Sequence, residues 1–347
     1  MIKPKVTDML DRLRQALAFL AIALLFGCAT NPAPDQPING RSYDVKMDGK
    51  FDGYERTYRV HVPTSYREGE PTALVVVLHG AFSGSAEIEK RTGFSALADR
   101  EGFAVVYPEG IGILGFLQHW NAGHCCGKAA ADGVDDVGFV ADVIEEVKSY
   151  LTIDAARIYM TGFSNGAMLT HRFAAERPEM LAAAAPLAGA ISSRGDALEP
   201  DWQIPTPRSG VPMIMFHGRE DLRIPYADTG PGNGVGGRYY STALAASRFW
   251  SSSNGCESHR REQNPSFAGV TVDTWSDCEK NADVLLFTLG EWGHRWPGPY
   301  FTQETGPQSP LYQFDATEII WAFFEKYRRP QDSARAAFSI EHDEFEG

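Results

Sequence analysis

The chain is short of positive charge. It sets 32 Lys and Arg against 45 Asp and Glu, a net charge of −13 over 347 residues. That balance speaks against nucleic acid or an anionic membrane surface as partner. Cysteine is sparse, five in all, and no two stand in C-x-x-C spacing, so a thiolate metal site has no support. There is no internal repeat, which removes solenoids and propellers. The apolar run Ala16 to Gly27 is too short to span a bilayer as a mature helix. The one G-x-G-x-x-G, Gly232 to Gly237, lacks the strand, turn and helix in immediate succession that a dinucleotide needs, because Pro225 and Pro231 intervene. It reads as a mobile loop, and no cofactor or metal is implied.

The beginning of the chain reads as a secretory signal. Lys3, Lys5, Arg12 and Arg14 form a basic region ahead of the apolar run. Leu25-Phe26-Gly27-Cys28 is similar to a bacterial lipoprotein signal with Cys28 as the acylated residue. Phe26 departs from that pattern, and ordinary cleavage after Ala29 is the alternative. Either way the protein is exported, and a lipid on Cys28 would be its only membrane contact. The expected division is residues 1–28 signal, 29–40 Pro-rich linker, 41–330 catalytic domain, and 331–347 an acidic tail.

What is present in quantity is apolar sequence, 43% of the chain, in short runs that alternate with helical patterns. Thr72 to His79, Leu181 to Ala188, Val211 to His217 and Val284 to Leu289 are near-continuous apolar runs, as in parallel strands covered on both faces. Two alternating runs between Arg41 and Val62 suggest an edge hairpin. Helices are expected over Glu87–Arg100, Val134–Leu151, Tyr239–Ser253 and Asp315–Tyr327. Asp135 and Asp136 suit the start of the second of these as helix caps. Together the pattern predicts an α/β fold, a mostly parallel sheet with helices on both faces.

Gly162-Phe163-Ser164-Asn165-Gly166 sits between an apolar strand and a helix. In α/β-hydrolases this pattern is the nucleophile elbow, a strained turn that lifts a serine hydroxyl clear of the sheet. Glycine at both flanks relieves the close approach of strand and helix. In that fold the acid and the histidine follow later strands in the order Ser, acid, His. Asp221 follows the strand ending at His217, and His294 follows the last core strand. Glu220 and Asp228 are rival acids, whereas His79, His171 and His217 read as structural. Asn165 N–H and Ala81 N–H are the expected oxyanion donors, with Phe82 as the other choice for the second. Trp296, Trp120 and Phe82 stand where strand-end loops converge. They either pack those loops or wall a cleft suited to a flat aromatic acyl group. With Cys28 in the leader, four cysteines remain and allow three pairings. Cys256 with Cys278 is the favoured disulfide, and Cys125 and Cys126 are adjacent.

The blocks WNAGHCCG (Trp120–Gly127), VDDVGFV (Val134–Val140), TGFSNGAM (Thr161–Met168), FHGREDLRIPY (Phe216–Tyr226), NGC (Asn254–Cys256) and GHRWPG (Gly293–Gly298) resemble the secreted feruloyl esterase and polyhydroxybutyrate depolymerase-like esterases. The resemblance runs from about Arg41 to Arg328. It implies Ser164, Asp221 and His294 as triad and an exported esterase, acting on feruloyl esters of plant cell-wall polysaccharide or on a hydroxyalkanoate polyester. Arg295 and Glu291-Trp292 depart from the family pattern beside the histidine. A peptidase using the same triad, or a binding protein with a dead site, are the other readings.

Overall fold

The computed structural model describes residues 38–113, 116–194, 202–227 and 238–330. The leader with Cys28, most of the linker, Asp228, the Gly232–Gly237 motif and the acidic tail lie outside the described residues.

Fifteen described strands are β1 (Arg41–Lys46), β2 (Thr57–Val62), β3 (Thr72–Leu78), β4 (Ala104–Pro108), β5 (Ile111–Ile113), β6 (Phe116–His119), β7 (Ile153–Phe163), β8 (Ala183–Leu187), β9 (Ser192–Arg194), β10 (Trp202–Gln203), β11 (Met213–Gly218), β12 (Tyr239–Tyr240), β13 (Ser258–Gln263), β14 (Val270–Ser276) and β15 (Val284–Leu289). Ten of them form one sheet in the order β1-β2-β4-β3-β7-β8-β11-β15-β14-β13. Its centre, from β4 to β15, is parallel, and an antiparallel hairpin closes each edge.

The central strands are apolar throughout because both faces are covered. Along β3, Leu74, Val76 and Leu78 enter one core while Ala73, Val75 and Val77 enter the other. The period of two therefore sorts residues between two layers of helices rather than between core and solvent. The first layer holds α4 (Asp136–Tyr150), α5 (Asn165–Glu176) and α6 (Ala243–Ser253), and the second α1 (Ser85–Thr92), α2 (Phe94–Glu101) and α8 (Ala316–Phe324); α3 (Gly127–Ala131) and α7 (Pro299–Thr302) are short surface turns.

Several elements differ from expectation. The helix expected over Glu87–Arg100 is two, broken at Gly93, whose φ of +72° ends α1 in the left-handed region. The long loop after β4 contains the β5–β6 hairpin and α3. Tyr239 and Tyr240 belong to a three-stranded sheet, β10-β9-β12, not to α6. Strand β13 reads SHRREQ and is exposed at every position, so it carries no apolar alternation to announce it.

Candidate active site

The site is assembled at the carboxyl ends of the central strands. Ser164 stands between β7 and α5 with φ +57° and ψ −119°, a conformation non-glycine residues rarely hold. A Cβ on Gly162 would lie 2.5 Å from the Gly166 carbonyl oxygen, and one on Gly166 would press on the Leu78 and His79 carbonyls. The two glycines thus permit the turn by letting helix, strand and neighbouring strand touch.

His294, on the loop after β15, places Nε2 2.8 Å from Ser164 Oγ. Its Nδ1 lies 2.7 Å from Asp221 Oδ2, on the loop after β11. The other Asp221 oxygen accepts the N–H groups of Arg223 and Ile224 at 2.8 and 2.9 Å. Burial pushes the Asp221 carboxyl up, but the His294 hydrogen bond and charge and the Ile224 N–H more than offset this and hold it below the usual carboxylate range. Glu220 is exposed, and Asp221 occupies the position beside the histidine. Buried His217 donates from Nε2 to Ile224 O at 2.8 Å and so fastens the acid-bearing loop.

Asn165 N–H is the first of α5 and has no intrahelical acceptor. Ala81 lines the same cleft as Ser164, and its N–H meets no acceptor among the described residues. Phe82 N–H, the other choice, is taken by Gln118 O at 2.9 Å. The Ala81 peptide is oriented by His79. Gly110 N–H donates to His79 Nε2 at 2.9 Å, so Nδ1 carries the proton and donates to Gly80 O at 2.8 Å. In a trans peptide the carbonyl and N–H point opposite ways. Holding Gly80 O against the imidazole therefore turns the Ala81 N–H away from it.

The tryptophans do not wall the cleft. Trp296 is 1% exposed, packs edge-on against Phe94 and donates from Nε1 to Thr317 Oγ1 at 3.0 Å. Trp120 is fully buried, and its Nε1 donates to His79 O at 2.8 Å. Each indole finds both apolar cover and a partner for its single N–H inside the fold, which is the stable outcome for that side chain. Trp292, flagged beside the histidine, is buried too and donates to Arg295 O at 2.8 Å. Only Phe82 of the three expected wall residues lines the cleft, 60% exposed. Tyr240, Ile224, Arg223, Arg91 and the Cys125–Cys126 pair line it as well. No sequence pattern singled out Tyr240 or the two arginines, because they converge from separate loops.

Asp136 is another correction. Asp135 caps α4 through Gly138 N–H at 2.9 Å, but Asp136 is buried and binds Arg56 Nη2 at 2.8 Å and Asn121 N–H at 2.7 Å. Arg56 also donates to Glu109 O at 3.1 Å and lies 3.6 Å over the Phe139 ring. This ion pair anchors the loop that carries Trp120. The sulfurs of Cys256 and Cys278 stand at disulfide distance, and Cys125 and Cys126 lie side by side at the cleft. Among the described residues no cluster of three or more His, Cys, Asp or Glu could hold a metal ion.

Comparison with known proteins places the chain among esterases. The chain is 30% identical over 264 residues to a putative esterase, NocK, of Nocardia uniformis subsp. tsuyamanensis, covering 72% of this chain and 73% of that one. It is 27% identical over 242 residues to feruloyl esterase B of Piromyces equi, covering 68% of this chain but only 42% of that protein. An acetyl xylan esterase from Aspergillus awamori superposes with a TM-score of 0.54 at 17% identity, over 74% of this chain and 94% of that one, a likeness of fold. The family described as esterase PHB depolymerase matches residues 57–198, the segment holding Ala81 and Ser164. The chain belongs to this esterase family, carboxylic ester hydrolases built on the α/β-hydrolase fold.

Proposed function

We propose that the protein cleaves carboxylic esters through a covalent intermediate on Ser164. The observation that carries this reading is the continuous chain Ser164 Oγ, His294, Asp221 with separations of 2.8 and 2.7 Å. Ser164 Oγ attacks the ester carbonyl carbon while His294 Nε2 takes its proton. The resulting oxyanion accepts hydrogen bonds from the Asn165 and Ala81 N–H groups. His294 returns the proton to the departing alcohol. Water then attacks the acyl-enzyme with His294 as base, and the acid leaves. Asp221 fixes the imidazole tautomer and stabilises its cation. Steady-state hydrolysis of a nitrophenyl ester, with acyl-enzyme trapped by rapid quench and mapped to Ser164, tests the scheme. An intact enzyme that turns over esters without acylating Ser164 would overturn it.

For the acyl group, we favour a hydroxycinnamoyl ester such as those attached to plant cell-wall polysaccharide. Support comes from the name of the Piromyces relative and from Phe82 and Tyr240 lining the cleft. Phe82→Ala should lower kcat/KM for methyl ferulate several-fold more than for a butyrate ester, since a stacked ring contributes about 0.5–1.5 kcal/mol. Equal losses would remove the aromatic preference. A hydroxyalkanoate polyester is the second reading. It is favoured by exposed Ile113, Phe116 and Leu117 of β5 and β6, which lie near the turn after β3 through the Ser83–Gln118 bridge. Release of acid from a polyester film distinguishes it. Export through the leader, with Cys28 acylated, rests on sequence alone; membrane fractionation of the wild type and Cys28→Ser decides it.

A further inference from the structure

The charge of the cleft is opposite to that of the chain. The protein carries −13 overall, yet the described residues lining the cleft include two guanidiniums, Arg91 and Arg223, and among them no carboxylate. Arg91 is partly neutralised, since Glu87 Oε1 lies 2.6 Å from its Nε. Arg223 differs. Its backbone N–H serves Asp221, but its guanidinium is exposed and meets no acceptor among the described residues. Its backbone is fixed by Asp221, the partner of His294, and by the buried neighbour Ile224, and its side chain lines the cleft. A cation without a partner among the described residues of a strongly acidic protein, on the wall of the cleft, has a natural counterpart in a substrate anion. A guanidinium fork matches a carboxylate in shape as well as charge, and a local positive field within an acidic surface favours an anionic ligand over a cationic one.

We propose that Arg223, assisted by Arg91, selects esters that bear a free carboxylate. This rests on the proposed esterase reading and goes beyond it by assigning the charge of the substrate. The carboxylate belongs either to the acyl part, as in a half-ester of a diacid, or to the alcohol part, as in an acylated hydroxy acid or uronic acid.

Two matched pairs separate these sources. The acyl arm compares 4-nitrophenyl hydrogen adipate with 4-nitrophenyl hexanoate, and the alcohol arm compares 4-acetoxybenzoate with 4-acetoxybenzamide. The reading is the ratio of kcat/KM for the anionic over the neutral member, in wild type, Arg223→Gln and Arg91→Gln, at low and high NaCl. The wild-type ratio in at least one arm should fall about 3- to 10-fold in Arg223→Gln, and less in Arg91→Gln, between the worth of an exposed ion pair and of a charged hydrogen bond. It should also shrink with salt. A ratio in both arms that neither Arg223→Gln nor salt changes overturns the proposal while leaving the esterase reading intact. If wild type hydrolyses none of the esters, that reading fails separately. Binding of monomethyl adipate against methyl hexanoate to Ser164→Ala and to Ser164→Ala/Arg223→Gln, by calorimetry, then settles the charge preference: tighter binding of the anion only with Arg223 present supports it, and equal binding rejects it.

Discussion

Asn165 and the backbone of Trp120 exchange two hydrogen bonds, Trp120 N–H to Asn165 Oδ1 at 2.7 Å and Asn165 Nδ2 to Trp120 O at 3.0 Å. The residue after Ser164 is thereby tied to the loop between β6 and α3. Through its indole, Trp120 also holds the His79 carbonyl. Both N–H groups assigned to the oxyanion are thus braced by one buried tryptophan, although neither tryptophan ring reaches the cleft.

Asn165→Ala should therefore damage stability and turnover together. It leaves the buried Trp120 N–H unpaired, at about 1–3 kcal/mol, whereas Trp120 O keeps the Cys126 N–H at 2.9 Å. Because the oxyanion exists only after attack, kcat should fall while KM for a small ester changes little. Thermal melts and steady-state kinetics check this; a variant with the wild-type Tm and kcat would break the link.

Ser164→Ala and His294→Ala should each lower kcat by several orders of magnitude, and the double substitution by little more, since the two act as a unit. Asp221→Asn should cost on the order of 10⁴-fold in kcat by favouring the wrong imidazole tautomer. A folded Ser164→Ala protein with near-normal turnover would remove the assignment.

The buried Arg56–Asp136 pair supports the same loop from below. Removing one partner strands a charge, so Arg56→Met or Asp136→Asn should lose about 3–5 kcal/mol in urea unfolding. Replacing both with apolar residues should cost less than the sum of the two. Additive losses would show that the two side chains act separately.

His171 is buried on α5, accepts Trp250 Nε1–H at 2.9 Å on its Nδ1, and is held at a pKa of about 3 by burial. The unfolded chain binds a proton near pH 6.5, the folded chain near 3. Between these values the unfolded state holds more protons, so this residue makes stability fall as pH drops through the window, by about 1.4 kcal/mol per unit. His171→Gln, which keeps an acceptor for Trp250, should flatten that acid slope by one proton in urea titrations run from pH 7 to 4. An unchanged slope would mean that His171 does not contribute.

Peptide mapping without reduction should recover Cys256 joined to Cys278. Replacing Cys256 and Cys278 by serine should cost about 3 kcal/mol on the loop-entropy account. A cross-link from either to Cys125 or Cys126 would require a different chain path around the cleft.

Sequence alone determined the elements whose physics is local. The apolar runs of β3, β8, β11 and β15 can only be satisfied by cover on two faces. Gly162 and Gly166 mark a turn that needs close backbone approach. Ser164, Asp221 and His294 fall after three core strands, β7, β11 and β15, in one order, so these positions could be read once the strands were placed. Tertiary structure decided what depends on packing partners far apart in the chain. Nothing in the spacing of Asp136 distinguishes a cap from a buried ion pair, because Arg56 lies 80 residues away. The exposure of an aromatic depends on what closes over it: Trp120 and Trp296 found acceptors inside, whereas Phe82, with its backbone fixed to Gln118, was left in the cleft. β13 became a strand only because β14 offered it an edge, and Arg223 and Arg91 became neighbours of Ser164 only when separate loops met over the sheet. Local pattern places a side chain on an element, and the burial that fixes its role comes from the rest of the chain.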